Sequence, residues 1–116
     1  MANPKLLQMP FSRIYDAYVQ RLARKDQSEQ DLRTIITWLT GYSLPALQRQ
    51  IDDQVSLTTF FTAMPQLNKN ADKITGVICG VRVESITDSL MQRIRYLDKL
   101  VDELARGKAM TKILRS

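Results

Sequence analysis

Histidine is absent from this chain of 116 residues, and with it go the commonest general base, the commonest metal ligand and any Ser-His or Cys-His nucleophile pair. A single cysteine, Cys79, has no partner for an internal disulfide and cannot by itself build a zinc site. Its apolar neighbours read it as a buried, inert thiol. No apolar run approaches the length of about 18 residues that a membrane span requires. The N-terminus also lacks the basic region, apolar core and small-residue cleavage pattern of a secretory signal, so a cytoplasmic protein with no membrane partner is expected. The stretch Gly76-Val77-Ile78-Cys79-Gly80 is not followed by the Lys-Ser/Thr pair of a phosphate loop, and the carboxylates lack calcium-loop spacing. No internal repeat or low-complexity tract is present. No catalytic residue, cofactor or metal is expected from what remains.

What is there is an ordinary globular composition. Hydrophobic residues make up 44% and charged residues 25%, which fits one domain spanning 1–116 with a modest core. The chain is organised around Ile74 to Gly107. Leu90, Ile94, Leu97, Val101 and Leu104 recur at alternating steps of four and three, the spacing that keeps one apolar seam on one side of a helix. Thr87 is placed to cap this helix, Asp88 to sit in its first turn and Gly107 to end it. Either the core of the same chain or a second copy can cover such a seam. Upstream, Ile74, Thr75, Val77, Ile78, Val81 and Val83 favour a strand, with Val77, Cys79, Val81 and Val83 on one face, although Gly76 and Gly80 weaken a strand interior. The expected fold is therefore mainly α, a small single-domain helical fold with one minor β element at about 74–83; an α+β fold is the alternative.

Four further helices can be read before that stretch. Residues 1–10 hold Leu6, Leu7 and Met9 between Pro4 and Pro10, and read as an extended N-terminal arm that could pair with the β element. From Ser12 onward, Ile14, Tyr15, Tyr18, Val19 and Leu22 fall at helical spacing. Ser28 with Asp31 starts the next helix, whose face is Leu32, Ile35, Ile36 and Leu39, and Gly41 stops it. Ser43 and Pro45 open a short helix to about Asp53. Ser56 caps another carrying Leu57, Phe60, Phe61 and Met64, ended by Pro65. Residues 66–73 read as a polar loop, and Met110, Ile113 and Leu114 as a last short helix or docking tail.

The net charge of +5 lies mostly in the second half, where Arg93, Arg95, Lys99, Arg106, Lys108, Lys112 and Arg115 form a basic face interrupted by Asp98, Asp102 and Glu103. Such a face could attract phosphates, but a solvated helix surface is the plainer reading. Asp98 and Asp102, one turn apart, read as solvated too. The helices flanking Gly41-Tyr42 resemble a helix-turn-helix in outline, with Gln48, Arg49 and Gln50 on the second, yet one arginine is thin for a DNA reader. Tyr15, Tyr18 and Tyr96 could line a pocket with Arg82 or Arg95; the four residues selected as a possible binding pocket are Tyr15, Arg82, Tyr96 and Asp98.

The segments IYDAY (14–18), ITWLTGY (36–42), ITGVICGVRVE (74–84) and IRYLDKLVDEL (94–104) together resemble a family of small bacterial proteins catalogued as a domain of unknown function, number twenty-two hundred. The resemblance covers nearly the whole chain and implies a bacterial cytoplasmic protein, with no activity, cofactor or catalytic residue to carry over. The function expected is a non-catalytic binding or assembly module. Two alternatives stand beside it: a nucleic-acid binder using the C-terminal basic face, and an enzyme with an unrecognised small-molecule pocket. A homodimer is expected from the β-prone segment without an evident partner, the heptad-spaced seam and the small size of the chain.

Overall fold

In the computed structural model, which describes residues 4–116, seven helices and one small hairpin follow each other in the order α1 (Pro4–Gln8), α2 (Phe11–Ala23), α3 (Glu29–Thr40), α4 (Leu44–Asp52), α5 (Leu57–Thr62), β1 (Val77–Ile78), β2 (Val81–Arg82), α6 (Ser89–Ala105) and α7 (Met110–Ile113). The mainly α reading holds. Helices α2, α3 and α5 pack on α6 as the apolar spacing requires, and α7 and the hairpin cover the rest of it.

The local start signals are mostly used as written. Ser28 Oγ accepts from the Asp31 N–H, Ser43 Oγ from Ala46 and Ser56 Oγ from Thr59, so each helix recovers one of its orphan donors. Gly41 ends α3 at φ +79°, and a Cβ there would lie 3.0 Å from the Gln66 carbonyl oxygen. That approach lets residues 66–68 bond back to the end of α3, with Gln66 N–H donating to Thr40 O and Asn68 N–H to Leu39 O. At α6 the cap is Asp88 rather than Thr87: its carboxylate accepts from the Leu90 and Met91 N–H groups, where a charge also meets the helix dipole. The other end closes as expected at Gly107, with Lys108 N–H on Glu103 O and Gly107 N–H on Leu104 O.

Two expectations are corrected. The arm is not extended over its described part, since Pro4–Gln8 form a short helix; residues 1–3 of the arm lie outside the described residues. Tertiary bonds hold it there: Thr58 Oγ1 donates to Leu7 O, Leu57 N–H to Met9 O and Phe11 N–H to Val55 O. Helix α2 accordingly starts at Phe11 after Pro10, and Ser12 lies inside it. The second correction is the β element, which pairs with itself. Val77 faces Arg82 and Ile78 faces Val81 across the two-residue turn Cys79-Gly80. Both turn residues have positive φ, 53° and 76°, as a type I′ hairpin demands. Cys79 is therefore exposed at a turn and not buried, and Val77 and Val81 are exposed beside it.

The core is one cluster. Phe11 and Phe60 stack with ring centroids 3.7 Å apart, and Phe61 meets Phe60 edge-on. Leu97, Leu100, Val101 and Leu104 of α6 are buried among Leu22, Leu32, Ile35, Ile36 and Leu39. The heptad seam thus lies inside the monomer.

Candidate functional site

Helices α2 and α6 meet through polar as well as apolar side chains. The Tyr18 hydroxyl donates to Asp98 Oδ1, and one turn further on Arg21 Nη2 donates to Asp102 Oδ1 at 2.7 Å. Arg95 Nη1 donates to Asp98 Oδ2 at 2.8 Å, and Arg106 Nε to Asp102 Oδ2 at 2.9 Å. Asp98 and Asp102 are therefore not a solvated pair. Asp102 is only 6% exposed, because α6 is covered on more sides than its apolar seam implies. Burial pushes the Asp102 carboxyl up, but the hydrogen bond from Arg21 and the charge of Arg106 outweigh it and leave the group below the usual carboxylate range. Burial, then the charge of Asp98, hold the Tyr18 hydroxyl well above the ordinary tyrosine value.

Beside this polar crossing lies a cavity of about 200 Å³ between α1, α2, α5 and α6. Leu6, Ile14, Leu57, Phe61, Ile94 and Leu97 supply its apolar wall. Tyr18, Arg95 and Asp98 form its polar edge, and Ala17, exposed on α2, also lines it. Leu6 completes the wall from α1, a helix with no buried residue of its own. Nothing in the chain's spacing pointed to α1 as part of a site, since its position is set by bonds to α5 across about fifty residues.

Of the four residues selected from sequence, Asp98 lines this cavity. The other three have different partners. The Tyr15 hydroxyl donates to Glu29 Oε2 at 2.6 Å, with the Arg33 guanidinium 5.5 Å above its ring. Arg82 is exposed on β2 and pairs with Glu84, whose carboxyl is held below its usual value first by the Gly76 N–H bond. Tyr96 is buried, which raises its hydroxyl, and it senses the charges of Asp72 and Arg93. No hydrogen bond or ion pair joins any two of the four among the described residues. Tyr18 and Arg95, considered with the other tyrosines from sequence, are the ones that meet Asp98.

Much of the basic face is paired within the chain. Arg95 and Arg106 pair with Asp98 and Asp102, while Arg115 forks onto both oxygens of Glu103 at 2.6 and 2.7 Å and Lys108 reaches the same carboxylate. Lys99 donates to Val77 O on the hairpin. On α4, Gln48 accepts from Arg33 and donates to Asp52, and the Gln50 Oε1 atom is buried, so neither side chain is presented to a base edge. Among the described residues no cluster of His, Cys, Asp and Glu side chains is arranged to hold a metal ion, and no helix is long and apolar enough to cross a membrane.

The curated proteins contain no match to the chain. A solved structure is similar throughout: the crystal structure of uncharacterized protein SP1917 superposes with a TM-score of 0.92 at 40% identity, covering 97% of this chain and 93% of that one. The family model described as an uncharacterized protein conserved in bacteria, DUF2200, matches residues 5–115. Because that match spans nearly the whole chain, the chain belongs to the DUF2200 family of uncharacterized bacterial proteins.

Proposed function

We propose that the protein is a non-catalytic cytoplasmic binding module whose site is the cavity between α1, α2, α5 and α6, and whose ligand is a small apolar molecule. The observation that supports this reading is the make-up of the cavity: about 200 Å³ of space walled mostly by carbon, with a polar edge confined to Tyr18, Arg95 and Asp98. A space of this order takes a single ring or a short alkyl group, since engineered apolar cavities of about 150 Å³ stay dry and bind benzene. Asp98 is the carboxylate at the edge, and both of its oxygens are engaged, one by Tyr18 and one by Arg95. It is thereby tied down as a structural acceptor and poorly placed to take a proton from a ligand, which favours binding over general-base chemistry.

The test is a thermal-shift series with benzene, toluene and short alkanols on the wild type and on Ala17→Leu. Ala17 is exposed on α2 and lines the cavity, so leucine is compatible with the helix while it adds bulk to the cavity wall. Stabilisation of the wild type that rises with ligand concentration and disappears in the variant supports the reading. Equal responses in both proteins, or none, reject it.

Self-association has a supporting surface among the described residues. With the strand paired to itself and the seam of α6 buried, a second copy would use the hairpin, where Val77 and Val81 are 50% and 42% exposed. A homodimer formed there loses association in Val81→Asp while the fold is kept. A constant mass of one chain in sedimentation equilibrium ends that reading.

A further inference from the structure

We infer that the ligand of the α1–α2–α5–α6 cavity carries a neutral hydrogen-bond acceptor, a ketone, ester or amide carbonyl, that is received by Arg95. The inference rests on the cavity being a binding site and adds the chemistry of what it selects. At the polar edge, the donors and acceptors divide unequally. The Tyr18 hydroxyl proton is given to Asp98 Oδ1, and Asp98 Oδ2 receives Arg95 Nη1, so the carboxylate has its two oxygens occupied and the tyrosine has no proton left to give. Arg95 has used Nη1 alone. Its Nε and Nη2 donors have no acceptor among the described residues and are not sealed from solvent, the side chain being 24% exposed where it lines the cavity.

A guanidinium in that position selects by charge as well as by hydrogen bonding. Asp98 already compensates it across 2.8 Å. A carboxylate ligand would set a second anion about the same cation in a partly dry site and repel Asp98, and an ammonium ligand would set a second cation beside Arg95. A purely apolar ligand would cover the remaining N–H groups and leave them unsatisfied. A neutral carbonyl satisfies them without adding charge, while its apolar remainder fills the space bounded by Ile14, Leu57, Phe61 and Ile94.

A matched set of probes decides this by NMR titration of the full chain: benzene, acetophenone, benzoate and benzylammonium. Acetophenone is expected to bind roughly tenfold more tightly than benzene, the equivalent of one hydrogen bond to a charged donor, and more tightly than either ion. Arg95→Met keeps the apolar stem and removes the donors; it should erase the advantage of acetophenone over benzene. Should that variant unfold, the order of the four probes on the wild type still decides. Benzoate as the tightest probe, or benzene equal to acetophenone, overturns the inference and leaves the binding site standing, whereas no binding by any of the four overturns both.

Discussion

The hydroxyl of Tyr18 and the carboxylate of Asp98, eighty residues apart in sequence, share a hydrogen bond where α2 crosses α6, and with it the edge of the cavity. Tyr18→Phe removes the donor and leaves Asp98 Oδ1 without a partner in a mostly buried position. The loss should cost about 1–3 kcal/mol in equilibrium unfolding. In an Asp98→Asn background the same change should cost less, because the two residues act as one unit; fully additive losses would show that the bond contributes no coupling.

Alkaline pH should weaken the fold through its tyrosines. Burial is the largest cause raising Tyr15, Tyr18, Tyr42 and Tyr96 in the native state, Tyr42 to about 12. Unfolded tyrosine releases its proton near 10, so below that value the burial has no pH-dependent cost. Above it the unfolded chain loses protons that the native chain keeps, and stability falls as pH rises toward the native values. Urea midpoints measured from about pH 8 to 11 should stay level and then drop beyond roughly 10. A level profile across the whole range contradicts the buried, protonated tyrosines.

Two helix ends carry a strain that a glycine would relieve. Asp26 at φ 58° and Gln54 at φ 53° hold the left-handed position after α2 and α4, with Gln27 N–H on Leu22 O and Val55 N–H on Gln50 O closing the turns. Neither is glycine, and the left-handed conformation costs a side-chain-bearing residue about 1–2 kcal/mol. Gln54→Gly should therefore stabilise the protein by roughly 0.5–1 kcal/mol after the added entropy of the unfolded chain is subtracted. A destabilised variant would mean that the Gln54 side chain, which borders the surface of α2, contributes more than the strain it imposes.

The C-terminus should matter more than its position suggests. Arg115 forks onto Glu103, whose side chain is 9% exposed, and Asn70 Nδ2 donates to the Arg115 carbonyl. Arg115→Ala leaves a nearly buried carboxylate with only Lys108 at 3.4 Å, and should cost about 3–5 kcal/mol. Arg115→Lys should recover part of this, without the fork. A loss under about 0.5 kcal/mol would place the pair among surface contacts of little consequence.

Much of the scaffold was legible because it is written locally. Ser28 with Asp31, Ser43 with Pro45, and the apolar spacing of Ile35, Ile36 and Leu39 carry their meaning within a few residues, and the structure uses them so. The hairpin was half legible: β-branched residues gave the tendency, but Cys79-Gly80 lacks the Asn-Gly or Asp-Gly signal that marks a two-residue turn. Helix α1 was illegible, being one turn of chain fixed by Thr58 and Leu57 from elsewhere. The site was least legible of all. Asp98 and Asp102 lie off the apolar seam and look solvent-facing by periodicity, and only the packing of α2 over that face turns them inward. Polar residues reveal such roles through their partners, and the partners on α2, Tyr18 and Arg21, lie about eighty residues away.

The space bounded by Leu6, Ile14, Leu57 and Ile94 is the proposed ligand site. Its occupancy is read by titrating uniformly nitrogen-15-labelled protein with benzene and following every backbone amide. Saturable shifts concentrated on α1, the middle of α2, the start of α5 and the Ile94–Asp98 turn of α6, and absent from Ala17→Leu, are the predicted result. Shifts that fail to saturate, or that spread over the α3–α4 surface and the hairpin while this region stays still, would contradict it.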